Sequence, residues 1–583
     1  MSSPAAAAAF TRDHALHRLR EETFDVVVIG GGITGVGCAL DAASRGLRTA
    51  LVERDDFASG TSSKSSKLVH GGLRYLQQGD IRLVYEALAE RQRLRHNAPH
   101  LVHLLPFLLP VFGGKGGVIP KKLARALGSA MWMYDLTGGA RIGKLHKRIS
   151  ADEALAHMPT LRRDRLASSY LYYDAEADDA RLTLTVARTA ALDHGAVILN
   201  RTRVTAIGAP GDHTWFADHD VPLRLVEVEA TLADGSTTTV EVRTASIINA
   251  AGVWVDEIRH LDEGVDPDSI RPAKGIHITV PWDKVRNDIA AVIPVPGDKR
   301  SVFVVPWGDF TFIGTTDTDY DGPVDDPQCT SDDIDYLLRA INGAVVEPLD
   351  RNDVLGTWAG LRPLVKQTDS GRTADLSRRH QVVHSASGVV TVSGGKLTTY
   401  REMAADAIDH LLAHVLTSSS IRSRVRRRTR TKRLRLRGAA GYDEALAVAA
   451  APPFGLDADT VTHLADRFGG EAGQVLDLIA SDPGLGSPII HGLPYLAAEV
   501  VHAVRHEMAV TVDDVLSRRT RARLQLRDAS AEAAGAVAEL MAAELGWDAA
   551  HRDAEVSSYL ASVAAERTSA DLPVTALTPG SGS

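Results

Sequence analysis

Residues Asp25 to Glu53 constrain this chain more than any other stretch, because every part of one βαβ unit lies there in register. Val26 to Ile29 is a continuous apolar run, the pattern of a parallel strand buried on both faces. Gly30, Gly32 and Gly35 follow with the spacing G-x-G-x-x-G. The missing side chains permit a tight turn, close approach of a pyrophosphate and packing of helix on strand. Val36 to Arg45 then predicts a helix whose N-terminal amides and dipole face phosphates. Glu53 ends the second strand, where a carboxylate accepts hydrogen bonds from ribose hydroxyls. The unit predicts dinucleotide binding and leaves NAD and FAD both open.

At 583 residues the chain exceeds one ordinary core, so two or three domains are expected. A net charge of -9 gives no global reason to expect nucleic acid. With two cysteines, Cys38 and Cys329, a disulfide framework is excluded. No metal-ligand cluster is expected, so redox chemistry requires an organic cofactor. Met1 to Phe10 is alanine-rich without a basic or long apolar region, and residues 1–22 are expected to form a disordered tail rather than a signal peptide. No run reaches the roughly 18 apolar residues of a membrane span.

Residues 59–75 form a hydroxyl- and glycine-rich loop, followed by a surface helix over Ile81 to His96. A strand, an acidic turn at Asp178 and Asp179, a helix over Ala180 to Asp193 and a strand near Val197 come next. Leu225 to Val242 alternates around Asp234 and Gly235, which predicts an antiparallel pair. Strands at 246–249 and 389–392 each run into glycine turns, and broken β-type runs fill 276–314. The expected fold is α/β: a Rossmann-like nucleotide domain over 23–415 with an inserted antiparallel β substrate domain, roughly 97–165 and 209–380. A basic linker at 416–438, read as solvated with an edge strand, leads to an all-α domain at 439–570 and a flexible tail at 571–583. There is no internal repeat.

Three distant strand-to-glycine turns, at Gly30, Gly252 and Gly394, suit a long cofactor and favour FAD. Five motifs carry a closer likeness: 61–76 (TSSKSSKLVHGGLRYL), 274–281 (KGIHITVP), 303–317 (FVVPW with IGTTD), 360–364 (GLRPL) and 394–401 (GGKLTTYR). In this order they resemble the FAD-dependent glycerol-3-phosphate dehydrogenases from about residue 23 to 405, more loosely at 499–521. The resemblance implies a flavoprotein of the glycine oxidase and D-amino acid oxidase type of fold. It also implies that Thr61, Ser62, Ser66 and Lys67 line flavin and pyrophosphate, that Val204 offers backbone groups to adenine, and that Ala250, Gly252, Gly395, Leu397 and Thr398 complete the cofactor site.

Oxidising a secondary alcohol beside a phosphate needs a hydride acceptor, a base and cations. Arg74 and Arg362 can each offer a bidentate guanidinium, and His277, in an apolar strand, can take the hydroxyl proton. Lys396 can polarise the substrate oxygen or stabilise reduced flavin, with Tyr75 a further substrate contact. The expected reaction turns sn-glycerol 3-phosphate into dihydroxyacetone phosphate and passes the electrons to a membrane quinone. An oxidase using dioxygen and a non-catalytic flavin sensor are the alternatives, and the arginines argue against the sensor. The apolar run Leu101 to Phe112, followed by Lys115, Lys121, Lys122 and Arg125, reads equally as an interfacial anchor or as core. The resemblance places the chain in the cytoplasm, peripherally on the cytoplasmic membrane, without nucleic acid, and leaves a homodimer open.

Overall fold

The computed structural model describes residues 10–72, 81–113, 131–135, 144–209, 222–298, 300–366 and 379–575. Arg74 and Tyr75, and the basic residues at 115–125, lie outside them.

Val26–Ile29 is a central strand with no exposed residue, as its unbroken apolar sequence requires. It pairs in parallel with Thr49–Val52 on one side and Ile247–Asn249 on the other. Val197–Leu199 and Val389–Ser393 extend the parallel sheet, and Gln381–His384 closes one edge antiparallel. Helix Ile33–Arg45 packs beside helices Tyr400–His414 and Asp179–Leu192. A Cβ on Gly37 would come within 2.8 Å of the Tyr400 ring, so the two helices approach closely through a glycine. The pair Arg224–Thr231 and Thr237–Thr244, expected around Asp234 and Gly235, joins Thr23–Phe24 and Thr202–Ile207 in a small sheet sharing this core.

The second sheet has ten strands. It is antiparallel apart from Ala290–Pro294, which runs parallel to Val102–Phe112. That last strand corrects the anchor reading of Leu101 to Phe112. It lies inside the sheet between Ala290–Pro294 and Leu166–Ala177, with Phe107 and Leu108 fully buried. No helix among the described residues is long and apolar enough to cross a membrane.

Three further expectations are corrected. Residues 12–21, read as disordered, form a helix whose Leu19 is fully buried, while Arg12 donates to the Asn200 carbonyl at 2.7 Å. Helix Ile81–Asn97 keeps an exposed face at Ile81, Arg82, Tyr85 and His96, as expected of a surface helix, and buries Glu90 and Arg91 on the other through pairs with Arg401 and Asp174. The basic stretch 416–438 contains no strand. It straps the nucleotide domain, Arg424 pairing with Asp25 at 2.5 Å and Arg437 bridging Glu471 and Asp193. At the end, Leu572 is buried and Thr575 donates to Asp528, so the described part of the expected tail is docked.

The helical C-terminal domain, with long helices Arg527–Leu545 and Ala549–Ser569, is held to the nucleotide domain by buried ion pairs. Arg518 and Arg519 each reach Asp56 at 2.7 Å. Burial alone would push the Asp56 carboxyl up, but Arg519, Arg518 and Arg201 hold it well below the usual carboxylate range.

Candidate active site

One cavity of about 1010 Å³ runs from the glycine turn of the first strand to the second sheet. At one end Gly30 has a φ of +110°, and a Cβ there would lie 2.7 Å from the Ala250 carbonyl oxygen. A Cβ on Gly35 would lie 1.8 Å from the Gly30 oxygen, so Gly35 serves helix-on-strand packing and does not line the cavity. Gly31 and Asp55 donate their backbone N–H groups to Glu53 at 2.5 and 2.8 Å. Burial nevertheless pushes the Glu53 carboxyl up to about 7 against these donors. Ser62 Oγ accepts from the Ile33 N–H at 2.9 Å, fastening the loop to the first turn of the helix. Gly32, Glu53, Thr61, Ser62, Ser66, Val204, Ala250, Gly252, Gly395, Leu397 and Thr398 all line the cavity.

The other end is built by two paired strands, Ile270–Pro281 and Gly356–Val365. Their register sets His277 opposite Trp358, Gly275 opposite Gly360 and Ala273 opposite Arg362. Because side chains alternate along a strand, these residues share one face. The two glycines clear its middle. A Cβ on Gly275 would meet the Arg362 guanidinium at 2.5 Å, and one on Gly360 the Lys64 carbonyl oxygen at 2.8 Å. Arg362 donates to Thr315 Oγ1 and the Thr316 carbonyl, both at 3.2 Å, with Asp317 at 3.5 Å. Lys396, at the turn into helix Tyr400–His414, lines the same cavity as His277 and Arg362.

His277 is almost fully buried, with Nε2 2.8 Å from Ser66 Oγ. Its Nδ1 has no hydrogen-bond partner among the described residues. Burial, Lys67 and Arg362 hold the imidazole well below its usual range, so near neutral pH it is an uncharged proton acceptor. Lys67 departs from the expected flavin contact. It does not line the cavity: its Nζ sits 4.4 Å over the Trp358 ring and 3.5 Å from Asp179, and burial with Arg521 pulls its ammonium down to about 8. Sequence reasoning missed Trp358, although Trp-x-Gly-x-Arg at 358–362 repeats the period of a strand face. It also missed Phe303 and His70, which line the cavity in an edge-to-face pair at 5.7 Å.

A family model described as FAD dependent oxidoreductase matches residues 25–401, and one described as C-terminal domain of alpha-glycerophosphate oxidase matches residues 429–552. The chain is 42% identical over 561 residues to glycerol-3-phosphate dehydrogenase 2 of Mycobacterium tuberculosis, covering 95% of this chain and 90% of that one. Identity to the glycerol-3-phosphate dehydrogenase of Mycobacterium leprae is also 42%, over 565 residues, with the same coverage. A solved glycerol-3-phosphate dehydrogenase of Bacillus halodurans, complexed with FAD, superposes with a TM-score of 0.72 at 29% identity, covering 96% of this chain and 97% of the other.

Proposed function

The chain belongs to the FAD-dependent glycerol-3-phosphate dehydrogenase family, and from that premise we propose that it converts sn-glycerol 3-phosphate to dihydroxyacetone phosphate and delivers the electrons to a membrane quinone. The observation that carries this reading is the shared strand face on which neutral His277 and cationic Arg362 flank a glycine pair inside one cavity.

FAD fits that cavity. Gly30 and Ala250 leave backbone where a pyrophosphate must approach, and Glu53 is a buried carboxyl at the ribose position. When bound, FAD supplies the acceptor for the hydride on the substrate's C2. Uncharged His277 takes the hydroxyl proton, and Ser66 fixes the ring by its hydrogen bond to Nε2. Arg362 meets the phosphate with its planar fork, while Thr315, the Thr316 carbonyl and Asp317 keep that fork in place. Lys396 polarises the substrate oxygen. Arg74 and Tyr75 belong to the substrate site on the strength of their motif alone.

The quinone acceptor brings with it peripheral attachment to the cytoplasmic membrane surface. Ile81, Tyr85, Trp132 and Leu145 are about half exposed, at 48%, 51%, 57% and 53%. The elements that carry Ile81, Tyr85 and Trp132 share one core cluster through Val84, Leu88, Met131 and Tyr134, which gathers apolar surface for that contact. The oxidase-derived C-terminal family match favours a second reading, transfer of the electrons to dioxygen. Anaerobic glycerol 3-phosphate should bleach the flavin, and a quinone analogue should restore its absorbance. Unchanged absorbance overturns the dehydrogenase reading, and stoichiometric peroxide without quinone reduction establishes the oxidase.

A further inference from the structure

The C-terminal domain reaches the catalytic face through a buried arginine. Arg521 takes a left-handed backbone conformation, φ +82°, uncommon for a residue with a side chain, and is only 1% exposed. Its guanidinium donates to the Asp179 carboxylate at 2.8 Å and to the Ser63 carbonyl at 2.5 Å. Asp179, fully buried, accepts in turn from Ser65 N–H at 2.9 Å and Ser65 Oγ at 2.7 Å. The Ser65 carbonyl accepts from Trp358 Nε1 at 3.2 Å, and Trp358 stacks on His277. The next residue, Ser66, holds His277 Nε2. A second link runs in parallel: the Leu524 carbonyl accepts from Thr279 Oγ1 at 2.7 Å, two residues along the strand from His277.

We propose that Arg521 and Asp179 are positioning residues through which the helical domain fixes the Ser65–Ser66 turn, and with it the orientation of His277 for proton abstraction. The inference rests on the reading of His277 as the base. Neither residue lines the cavity, so each acts through the turn. A carboxylate satisfied by Ser65 and Lys67 from one domain and Arg521 from the other makes the turn's position depend on both. Loosening it by a fraction of an ångström misaligns the base while leaving the phosphate-binding arginine in place.

The test is anaerobic stopped-flow reduction of the FAD-loaded full-length enzyme, in a double-mutant cycle of Arg521→Met with His277→Ala. Arg521→Met should keep its FAD and its substrate Kd and slow the limiting reduction about tenfold, the scale of a misplaced catalytic group. Added to His277→Ala it should change nothing, because the group it orients is gone. A tenfold loss in both backgrounds overturns the proposal, as does release of FAD or a rate within twofold of the parent. Should Arg521→Met fail to fold, Arg521→Lys, which keeps the charge and one donor, should give a smaller loss with the same dependence on His277; full activity overturns the proposal. A parental rate in His277→Ala alone instead removes the base reading, and the proposal with it.

Discussion

His277 lies flat against Trp358, ring centroids 4.7 Å apart and planes 9° from parallel, in directly opposed positions of the two paired strands. The stack buries one face of the imidazole, Lys67 adds a positive charge beyond the indole, and Ser66 occupies Nε2. Burial and the positive charges of Lys67 and Arg362 disfavour the imidazolium, and Ser66 fixes the ring. An uncharged imidazole is therefore built into the strand register.

That environment sets the pH behaviour. The folded His277 titrates well below 6.5, so the unfolded chain binds the extra proton first as pH falls. Its contribution to stability is complete above about pH 6.5 and is lost as pH drops through that value and below. The limiting flavin-reduction rate at saturating substrate should show no inflection near 6.5. An inflection there that vanishes in His277→Ala would contradict the geometry.

Trp358 should matter for both stability and rate. The side chain is 4% exposed and loses its packing in Trp358→Ala, at a cost of about 3–5 kcal/mol measured by urea unfolding. Trp358→Phe keeps the stack but drops the donor to the Ser65 carbonyl, and should cost about 1–2 kcal/mol with a slower flavin reduction. A Trp358→Phe variant that matches the parent in stability and rate would show that the Nε1 hydrogen bond contributes nothing.

The glycine turn gives a sharper test of cofactor placement. Gly30→Ala imposes a left-handed residue with a side chain, about 1–2 kcal/mol, and sets its Cβ 2.7 Å from the Ala250 oxygen. The purified variant should lose FAD, read from its absorbance spectrum. Full flavin content would mean that the turn can shift without penalty.

The first βαβ unit was legible because a doubly buried strand and a glycine turn leave local marks at fixed spacing. The same logic misleads at Leu101 to Phe112. A strand inside a sheet is apolar on both faces, and hydropathy registers burial without saying whether lipid or protein provides it. The arginines of 416–438 read as solvated, and Arg422, Arg426, Arg427, Arg428, Arg430, Arg433 and Arg435 are exposed; the pairing of Arg424 and Arg437 was not legible because their partners Asp25, Asp193 and Glu471 are distant in sequence. His277 and Arg362 were named as single residues from their motifs, whereas their shared face depends on a strand register spanning about 85 positions. The Arg521–Asp179 contact, 342 positions apart, leaves no mark in either local sequence.

Glu53 should couple cofactor binding to pH. Its carboxyl sits near 7 because burial outweighs the Gly31 and Asp55 donors. A raised acid contributes stability that is present below about 4.5 and lost as pH rises through 7. Ribose hydroxyl donors favour the ionised form, so FAD binding should release a proton between about pH 5 and 7 and tighten across that range. Fluorescence titration of the apoprotein should show this dependence in the parent and none in Glu53→Gln; equal slopes would remove Glu53 from the ribose site.

Arg362 should separate substrate capture from cofactor binding. Its fork is held by Thr315, the Thr316 carbonyl and Asp317, and it lines the cavity together with His277. Arg362→Ala should weaken glycerol 3-phosphate binding by about 3 kcal/mol, or about 10²-fold in Kd, from the lost charge-assisted contacts, with FAD content unchanged. Arg362→Lys restores the charge without the planar fork and should recover only part of the loss. Glycerol, which lacks the phosphate, should bind equally weakly to all three proteins. Arg362→Ala that binds glycerol 3-phosphate as tightly as the parent, or that emerges without flavin, would reassign Arg362 to holding the strand end through Asp317.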